Sequence, residues 1–423
     1  MKFNNGSRIC CMLLLLGLSL GGCADISQED SLENEQVLVL SEEDIRGKAS
    51  DDIVTGEILE SEPEEEDLLE TDSFLEQGMG YARSKLSAAE QIWYDDIEEI
   101  LGNYQLQIAL SKEGLEAGLT EENIDRIFQC VLNDHPELFY VDGYSYTKYT
   151  RYGLEDEIDS IEFSGRYSME QETAALRRIQ IQKAVGRILA GIDSDAEAYE
   201  KVKYVYDTLI RETDYQLDAP DNQNIYSVFV NHLSVCQGYA KATQYLLNRL
   251  GVECVLVLGT VNNGEGHAWN LVNVDGDYYY VDTTWGDASY QPGDDGTSAT
   301  FTKPEINYDY LNVTTAELVR THTIGGEVPM PVCSATAANY YVMEGALFTE
   351  YDSEQMASLF ERKLSEGVTD VTIKCNSFDC YRRVKEALID RKEIFYYLSG
   401  VGETVAYTQN DTQLSLTFWV TNE

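Results

Sequence analysis

The stretch GHAWNLVNVDGDYYYVD, residues 266–282, places two β-prone runs on either side of Asp275-Gly276. Asp-Gly between such runs is a strong signal for a two-residue hairpin loop. Counted back from this turn, Trp269 lies opposite Asp282, and His267 shares the strand face of Trp269. His267 and Asp282 are then diagonal neighbours with Cα atoms about 7–8 Å apart. The turn therefore predicts a histidine–carboxylate pair, which a register shift of one residue would break.

A candidate nucleophile lies upstream, in SVCQGYA at residues 234–240, which leads into a predicted helix that ends at Gly251. Cys236 then lies in the first turn, where N–H groups and the helix dipole favour a thiolate and can bind an oxyanion. In an activated thiol, the imidazole takes the proton and the carboxylate fixes the tautomer. Cys236, His267 and Asp282 are therefore the candidate catalytic residues. The alternative is three structural residues, because sequence alone leaves the cysteine–histidine distance open.

Other residue types near these motifs have both a functional and a structural interpretation. Candidates for the oxyanion hole or the walls of a cleft, with core packing as the alternative, are Tyr226, Trp269 and Trp285. His232 is a rival base but is predicted to lie in a loop. His135 and His322 are predicted to be surface or capping residues.

Composition and missing motifs exclude several classes of function. The chain has 423 residues, with 30 Lys+Arg against 75 Asp+Glu, and its net charge is −45. This charge, without any basic block to offset it, argues against a nucleic acid partner. Walker A, GxGxxG, HExxH and GxSxG motifs are missing, and the four histidines lack zinc-finger spacing. We therefore expect no cofactor and no metal.

The first residues predict export and an anchor. Residues 1–22 combine a basic start, a short apolar run and small residues, which is typical of a signal peptide. LGGC, ending at Cys23, resembles the bacterial lipobox, whose cysteine carries lipid that holds the protein on the outer face of the cell membrane. Cleavage that releases a soluble secreted protein is the alternative. Residues 23–82 are strongly acidic and are predicted to form a disordered linker.

Three folded regions are expected after the linker. Residues 83–168 are predicted to be an α+β module, with strands paired around a turn at Asp142-Gly143. Residues 169–330 contain the candidate catalytic residues, and residues 331–423 are predicted to be an α/β module that begins with a strand at Asn339–Phe348. Cys130 and Cys254 have the apolar neighbours of core residues. A local disulfide between Cys375 and Cys380 remains open.

The motifs VCQGYA, GHAWN and VDTTWGD, in this order, resemble the transglutaminase-like superfamily over about residues 181–287. The resemblance implies a papain-like α+β fold, in which a cysteine-bearing helix packs on an antiparallel sheet. It also implies Cys236 as nucleophile, His267 as base and Asp282 as orienting carboxylate. DHPELFY at residues 134–140 and CSAT at residues 333–336 are similar to bacterial exported members. The short cysteine–histidine spacing implies a compact bacterial core rather than an animal crosslinking enzyme.

These observations predict a surface-anchored enzyme that transfers acyl groups from amide bonds through a thioester on Cys236. Peptides or cell-wall components are the expected substrates. The alternative is an extracellular binding protein that keeps the fold without turnover. The sequence leaves open whether water or an amine accepts the acyl group, and in which oligomeric state the protein acts.

Overall fold

A computed structural model describes residues 80–151, 157–287, 306–398 and 405–419. The predicted signal peptide, Cys23 and nearly all of the acidic linker lie outside these ranges. Within them, no helix is both long enough and apolar enough to cross a bilayer. The described residues form an α+β fold, as expected, with three sheets of three or four strands and one short strand pair.

The first region contains four helices around a long antiparallel hairpin. Its elements are α1 (Tyr81–Ser84), α2 (Ala88–Gly102), β1 (Ile108–Ala109), α3 (Lys112–Glu116), α4 (Ile124–Asp134), β2 (Val141–Arg151) and β3 (Glu157–Tyr167). The turn predicted at Asp142-Gly143 is wrong, because both residues lie inside β2 at a bulge. The strand partner of β2 is β3, which follows it in the chain, so pairing along the whole strand outweighs the local turn signal.

The second region places helices against a four-stranded antiparallel sheet of order β8-β7-β6-β9. Its elements are α5 (Gln171–Leu189), α6 (Ala198–Glu212), β4 (Asp214–Tyr215), β5 (Leu233–Ser234), α7 (Cys236–Arg249), β6 (Cys254–Val261), β7 (Gly266–Val274), β8 (Asp277–Val281), α8 (Thr283–Gly286), α9 (Thr315–Leu318) and β9 (His322–Gly325). Helix α7 packs on β6 and β7. This is the cysteine-bearing helix on an antiparallel sheet that the sequence predicts.

The hairpin prediction is confirmed residue by residue. Strands β7 and β8 pair with Val274 opposite Asp277 and Asn270 opposite Val281, which is the register counted from the turn. Asp275 and Gly276 both have positive φ, as a type I′ turn requires. The turn residues therefore set the register of the strands that carry the candidate site.

The third region is an α/β unit with a sheet of order β10-β11-β13-β12. Its elements are α10 (Tyr340–Met343), β10 (Leu347–Phe348), α11 (Ser353–Ser365), β11 (Asp370–Cys375), α12 (Phe378–Lys385), α13 (Ile394–Tyr397), β12 (Ala406–Asn410) and β13 (Ser415–Trp419). The strand predicted at Asn339–Phe348 is wrong except for its last two residues, Leu347 and Phe348, which form β10. Asn339 caps α10 by accepting from the N–H of Tyr341, and this capping starts a helical turn instead.

Two large apolar cores contain most of the buried apolar residues that the structure describes, and a small third cluster holds Cys236, Ala240, Leu256 and Ala268. One core extends from Tyr81 to Ala338, so the first two regions share it. The other extends from Tyr341 to Phe418 and belongs to the third region. Cys130 and Cys254 are buried, as predicted, and Cys375 and Cys380 are buried thiols without a disulfide. The domain boundaries given above stay predictions.

Candidate active site

The predicted histidine–carboxylate pair is present. His267, the second residue of β7, places Nε2 2.8 Å from Oδ2 of Asp282, the residue that follows β8. Both side chains are almost completely buried. Asp282 also caps α8, because its Oδ1 accepts from the backbone N–H of Trp285 at 3.0 Å. Turn chemistry, strand register and a helix cap thus orient this carboxylate.

A second imidazole binds the same carboxylate oxygen. Nε2 of His322, the first residue of β9, lies 3.0 Å from Oδ2 of Asp282. The surface or capping position predicted for His322 is wrong, because its side chain is completely buried. Its Nδ1 lies 2.8 Å from the hydroxyl of Thr321. Sequence reasoning misses this contact because 40 residues separate the histidine from the aspartate, and no local pattern links them.

The charge of Asp282 determines which ring nitrogens of His267 and His322 carry protons. Burial alone would raise the pKa of Asp282, but the imidazoles of His267 and His322 outweigh it and hold the pKa well below its usual range. An ionised carboxylate only accepts hydrogen bonds, so both Nε2 atoms donate to Oδ2. In neutral His267 the ring lone pair is therefore on Nδ1. This is the tautomer that a general base needs when Nε2 is held by a carboxylate.

The same three side chains have a donor set that transition metals also use. Ligand atoms of His267, Asp282 and His322 lie within 4.8 Å of one another. In the structure Nε2 of His267 and Nε2 of His322 both lie at hydrogen-bond distance from Oδ2 of Asp282. The contacts thus describe a hydrogen-bonded set of side chains.

Cys236 is the first residue of α7, as the sequence predicts, and it is buried. It packs with Ala240, Leu256 and Ala268, so the start of the helix lies against the residue that follows His267 on β7. The backbone N–H groups of the first helical turn have no carbonyl four residues earlier within the helix. The fold therefore brings the cysteine-bearing turn to the strand that carries the imidazole.

The aromatic candidates occupy different positions. Trp269 is fully buried, with its ring 5.9 Å from that of His267, so it packs behind the imidazole. Trp285 is partly exposed, and its ring lies 4.8 Å from that of His322. Its indole N–H is buried and has no acceptor among the described residues. The Tyr226 hydroxyl donates to Oε1 of Gln180 at 2.9 Å, and the side chain packs, partly buried, against the main core.

The remaining histidines have other partners. The Nδ1 atom of His232 lies 2.8 Å from the backbone carbonyl of Glu212, in an exposed position. His135 is buried between Glu98 and Glu137, so its predicted surface position is wrong. Burial alone would lower the pKa of His135, but Glu137 and Glu98 raise it to about 10. This imidazole is a fixed cation at neutral pH, which does not suit a base.

The third region contacts the segment that binds the backbone of Asp282. The backbone N–H of Asp282 donates to the carbonyl of Tyr310 at 3.0 Å. Gln413 donates from its side chain to the Tyr310 hydroxyl. Buried Lys374 forms an ion pair of 3.1 Å with buried Asp309. Side chains of the third region therefore contact Asp309 and Tyr310, and the carbonyl of Tyr310 binds the backbone of Asp282.

Comparisons with known proteins agree with this arrangement. Residues 183–283 match the family model of the transglutaminase-like superfamily. Kyphoscoliosis peptidase of Mus musculus is 22% identical over 135 residues, which are 28% of this chain and 20% of that protein. The chain therefore spans about a fifth of the length of that relative.

Two solved structures are more distant. One, described as a TGase, is 15% identical and has a TM-score of 0.25, covering 38% of this chain and 49% of that one. The other is menin, whose structure reveals the binding site for Mixed Lineage Leukemia protein; it is 17% identical with a TM-score of 0.23, covering 47% and 43%. The family match, by contrast, covers Cys236, His267 and Asp282. Residues 183–283 of this chain are accordingly a domain of the transglutaminase-like superfamily.

Proposed function

We propose that the protein is a cysteine-dependent acyl-transfer enzyme that acts on amide bonds, with Cys236 as nucleophile, His267 as base and Asp282 as orienting carboxylate. The observation that carries this proposal is the buried bond between Nε2 of His267 and Oδ2 of Asp282, next to the strand position on which Cys236 packs. Members of the superfamily are often cysteine peptidases or acyltransferases.

The reaction follows from the tautomer of His267. Its Nδ1 takes the proton of the Cys236 thiol, and the thiolate attacks the amide carbonyl carbon. First-turn N–H groups of α7 are placed to stabilise the oxyanion of the tetrahedral intermediate. The C–N bond then breaks as the imidazolium returns the proton to the leaving amine, which leaves a thioester on Cys236. Water or an amine next gives a proton to His267, attacks the thioester and releases the thiol.

The electrostatic role of Asp282 supports this assignment. A carboxylate that stays ionised in a buried position stabilises the imidazolium form of His267 while the thiolate is present. Because the proton moves between neighbouring groups inside a buried site, little charge must be solvated by water. In this proposal, the ionised Asp282 favours a thiolate–imidazolium pair of Cys236 and His267.

The substrate and location form part of the same proposal. We propose that lipid on Cys23 anchors the protein to the outer face of a bacterial cell membrane and that residues 23–82 form an acidic tether. The enzyme would then act on peptides or cell-wall components outside the membrane. A net charge of −45 favours substrates that are cationic or weakly charged over phosphate-rich polymers.

The test compares Cys236→Ala with Cys254→Ala, which removes a buried thiol from β6 of the same sheet. Each protein is incubated with glutamine-containing peptides, with and without a labelled amine. We expect Cys236→Ala to lower turnover by about a thousandfold or more and Cys254→Ala to leave it nearly unchanged. Incorporation of label would indicate transfer, and cleavage or ammonia alone would indicate hydrolysis.

Iodoacetamide alkylation against pH gives a readout that needs no substrate. An activated Cys236 reacts well below pH 8.5, about the pKa of an unperturbed thiol. Alkylation only above that pH, together with unchanged activity in Cys236→Ala, would contradict the proposal. That result would instead favour an extracellular binding protein that keeps the fold without turnover.

A further inference from the structure

We propose that His322 is a positioning residue for this site: its Nε2–H holds the carboxylate of Asp282 in the orientation that fixes the tautomer of His267. The inference rests on the function proposed above. It adds a fourth side chain to the set of three that the sequence motifs contain.

The topology brings the two histidines together. On β6, Gly259 pairs with His267 of β7, and Val261, two residues further along the same face, pairs with His322 of β9. The two imidazole rings have centroids 5.4 Å apart. Gly259 lies between β7 and β9, and a Cβ there would lie 2.1 Å from the carbonyl oxygen of Thr323 and 2.5 Å from the Trp269 ring. The Trp269 ring therefore packs close to the central strand at this point, and imidazoles from both neighbouring strands reach Asp282 beside it.

Three N–H groups then fix the carboxylate. Oδ2 accepts from His267 at 2.8 Å and from His322 at 3.0 Å, and Oδ1 accepts from the backbone of Trp285 at 3.0 Å. With donors on both oxygens, rotation of the carboxylate breaks at least one hydrogen bond. Without His322, Oδ2 has His267 as its remaining imidazole donor, and the two groups can turn together away from Cys236.

The protonation state of His322 affects the proposed reaction, because His267 beside it becomes positively charged when it takes the proton of Cys236. The titratable groups that face it are Asp282 and His267, with the buried phenol of Tyr310 packed at 5.7 Å. Burial lowers the pKa of His322, and this outweighs the attraction of Asp282. A neutral His322 that donates from Nε2 has its lone pair on Nδ1, 2.8 Å from the Thr321 hydroxyl, whose one proton is shared between this nitrogen and the carbonyl of Leu318 at 3.3 Å. His322 therefore fixes Asp282 without placing a second positive charge beside the imidazolium of His267.

Two variants separate positioning from packing. His322→Leu fills the site but has no donor, whereas His322→Gln offers an amide N–H. We expect His322→Leu to lower kcat by about ten- to hundredfold, the effect of losing one hydrogen bond to a charged group, with KM within about twofold. His322→Gln should recover much of this loss. His232→Gln, at an exposed imidazole that contacts a backbone carbonyl, is the matched control and should be neutral.

The pH profile of Cys236 alkylation provides the second readout. A packing role leaves this profile unchanged at equal folded fraction, which circular dichroism checks. A positioning role lowers the alkylation rate at pH 6–7 in His322→Leu and restores it in His322→Gln. If Cys236→Ala is inactive but His322→Leu matches wild type in kcat and in this profile, the inference on His322 is wrong and the proposed function stands. If Cys236→Ala stays active, the proposed function itself fails.

A measurement on the unmutated full chain covers the case in which His322→Leu does not fold. The chain contains four histidines, so ¹⁵N-histidine labelling yields four imidazole spin systems. His322 should be neutral with its proton on Nε2 at pH 7, and it should gain a second proton only below about pH 6.5. A neutral His322 with its proton on Nδ1 at pH 7 would overturn the inference, because no Nε2–H would then face Asp282.

Discussion

Replacing Asp282 with asparagine removes the charge of the buried carboxylate but keeps its shape. The carboxylate accepts from His267 and His322 on one oxygen and from the backbone of Trp285 on the other. An asparagine amide has one acceptor oxygen and one NH₂ donor, so it cannot accept from all three N–H groups. The substitution therefore forces at least one donor to face another donor.

The orientation of the amide sets the expected cost. With the oxygen toward His267 and His322, one buried N–H at Trp285 remains unpaired, which costs about 1–3 kcal/mol. The reverse orientation leaves two imidazole N–H groups facing NH₂ and costs about twice as much. We therefore expect the first orientation and a fall of about 1–3 kcal/mol in the free energy of unfolding at pH 7.

The loss of charge should affect activity more than stability. Without the carboxylate, the imidazolium of His267 loses its counter-charge, and Asp282→Asn should lower kcat/KM by about 10³–10⁴-fold. The upper end is the effect of about 10⁴ that the equivalent change has in a serine–histidine–aspartate triad, where the histidine also takes the wrong tautomer. Alkylation of Cys236 by iodoacetamide at pH 6–7 should fall in parallel.

The contribution of Asp282 to the free energy of unfolding should depend on pH. The pKa of Asp282 is depressed in the folded state, so the ionised carboxylate contributes stability above its unfolded pKa of about 3.9 and loses it as pH falls toward the folded value. The difference in unfolding free energy between wild type and Asp282→Asn should narrow below about pH 4.

Urea unfolding at pH 7, 5 and 3 measures these differences, and Asp287→Asn is the matched control. Asp287 is a buried aspartate at the other end of α8 that accepts from the Tyr239 hydroxyl. In the Asp287→Asn variant, the rate of Cys236 alkylation should depend on pH as it does in the wild type. The reasoning is refuted if Asp282→Asn retains alkylation within about threefold of wild type and loses less than about 0.5 kcal/mol of stability.

Three further substitutions test one close backbone contact and two buried charged groups. Gly259→Ala would place Cβ 2.1 Å from a backbone carbonyl oxygen of β9, so we expect a loss of about 2 kcal/mol or more in urea unfolding; a loss below about 0.5 kcal/mol would contradict the geometry. Lys374→Met leaves the buried charge of Asp309 unpaired and should cost about 3–5 kcal/mol, and the double variant Lys374→Met/Asp309→Asn should recover part of it. His135 has a raised folded pKa, so its stabilisation is complete below about pH 6.5 and declines as pH rises toward 10. Urea unfolding from pH 6 to pH 10 should therefore show a steeper decline in wild type than in His135→Gln, and equal slopes would refute this.

Local features allowed part of the site to be predicted from sequence. The turn at Asp275-Gly276 and the alternation of the flanking strands place His267 beside Asp282, which is 15 residues away. Helix α7 likewise begins at the predicted cysteine, because SVCQGYA leads directly into an amphipathic run. In both cases the partners are connected by one regular element or one tight turn, so chain geometry sets their positions.

Local signals failed where a distant partner competes with them. Asp142-Gly143 has turn chemistry, yet it lies within β2 because β3 supplies ladder hydrogen bonds on both sides of it. A second failure is between two local signals: Asn339 begins a short helix by accepting from the N–H of Tyr341, although the residues after it have the composition of a strand. The free energies of strand pairing and of helix capping determine the structure of these two segments. The composition of a few neighbouring residues does not reveal either free energy.

By itself, the sequence determined the α+β class, the hairpin register, the histidine–aspartate pair and the start of the cysteine-bearing helix. The tertiary structure alone decided that His322 shares Asp282, that Gly259 lets Trp269 and β9 pack closely against the central strand, and that the Lys374–Asp309 pair supports the segment that contains Tyr310. The physical reason is chain distance. Strand pairing and burial act between residues that are far apart in the chain, and their geometry exists only once the sheets have assembled.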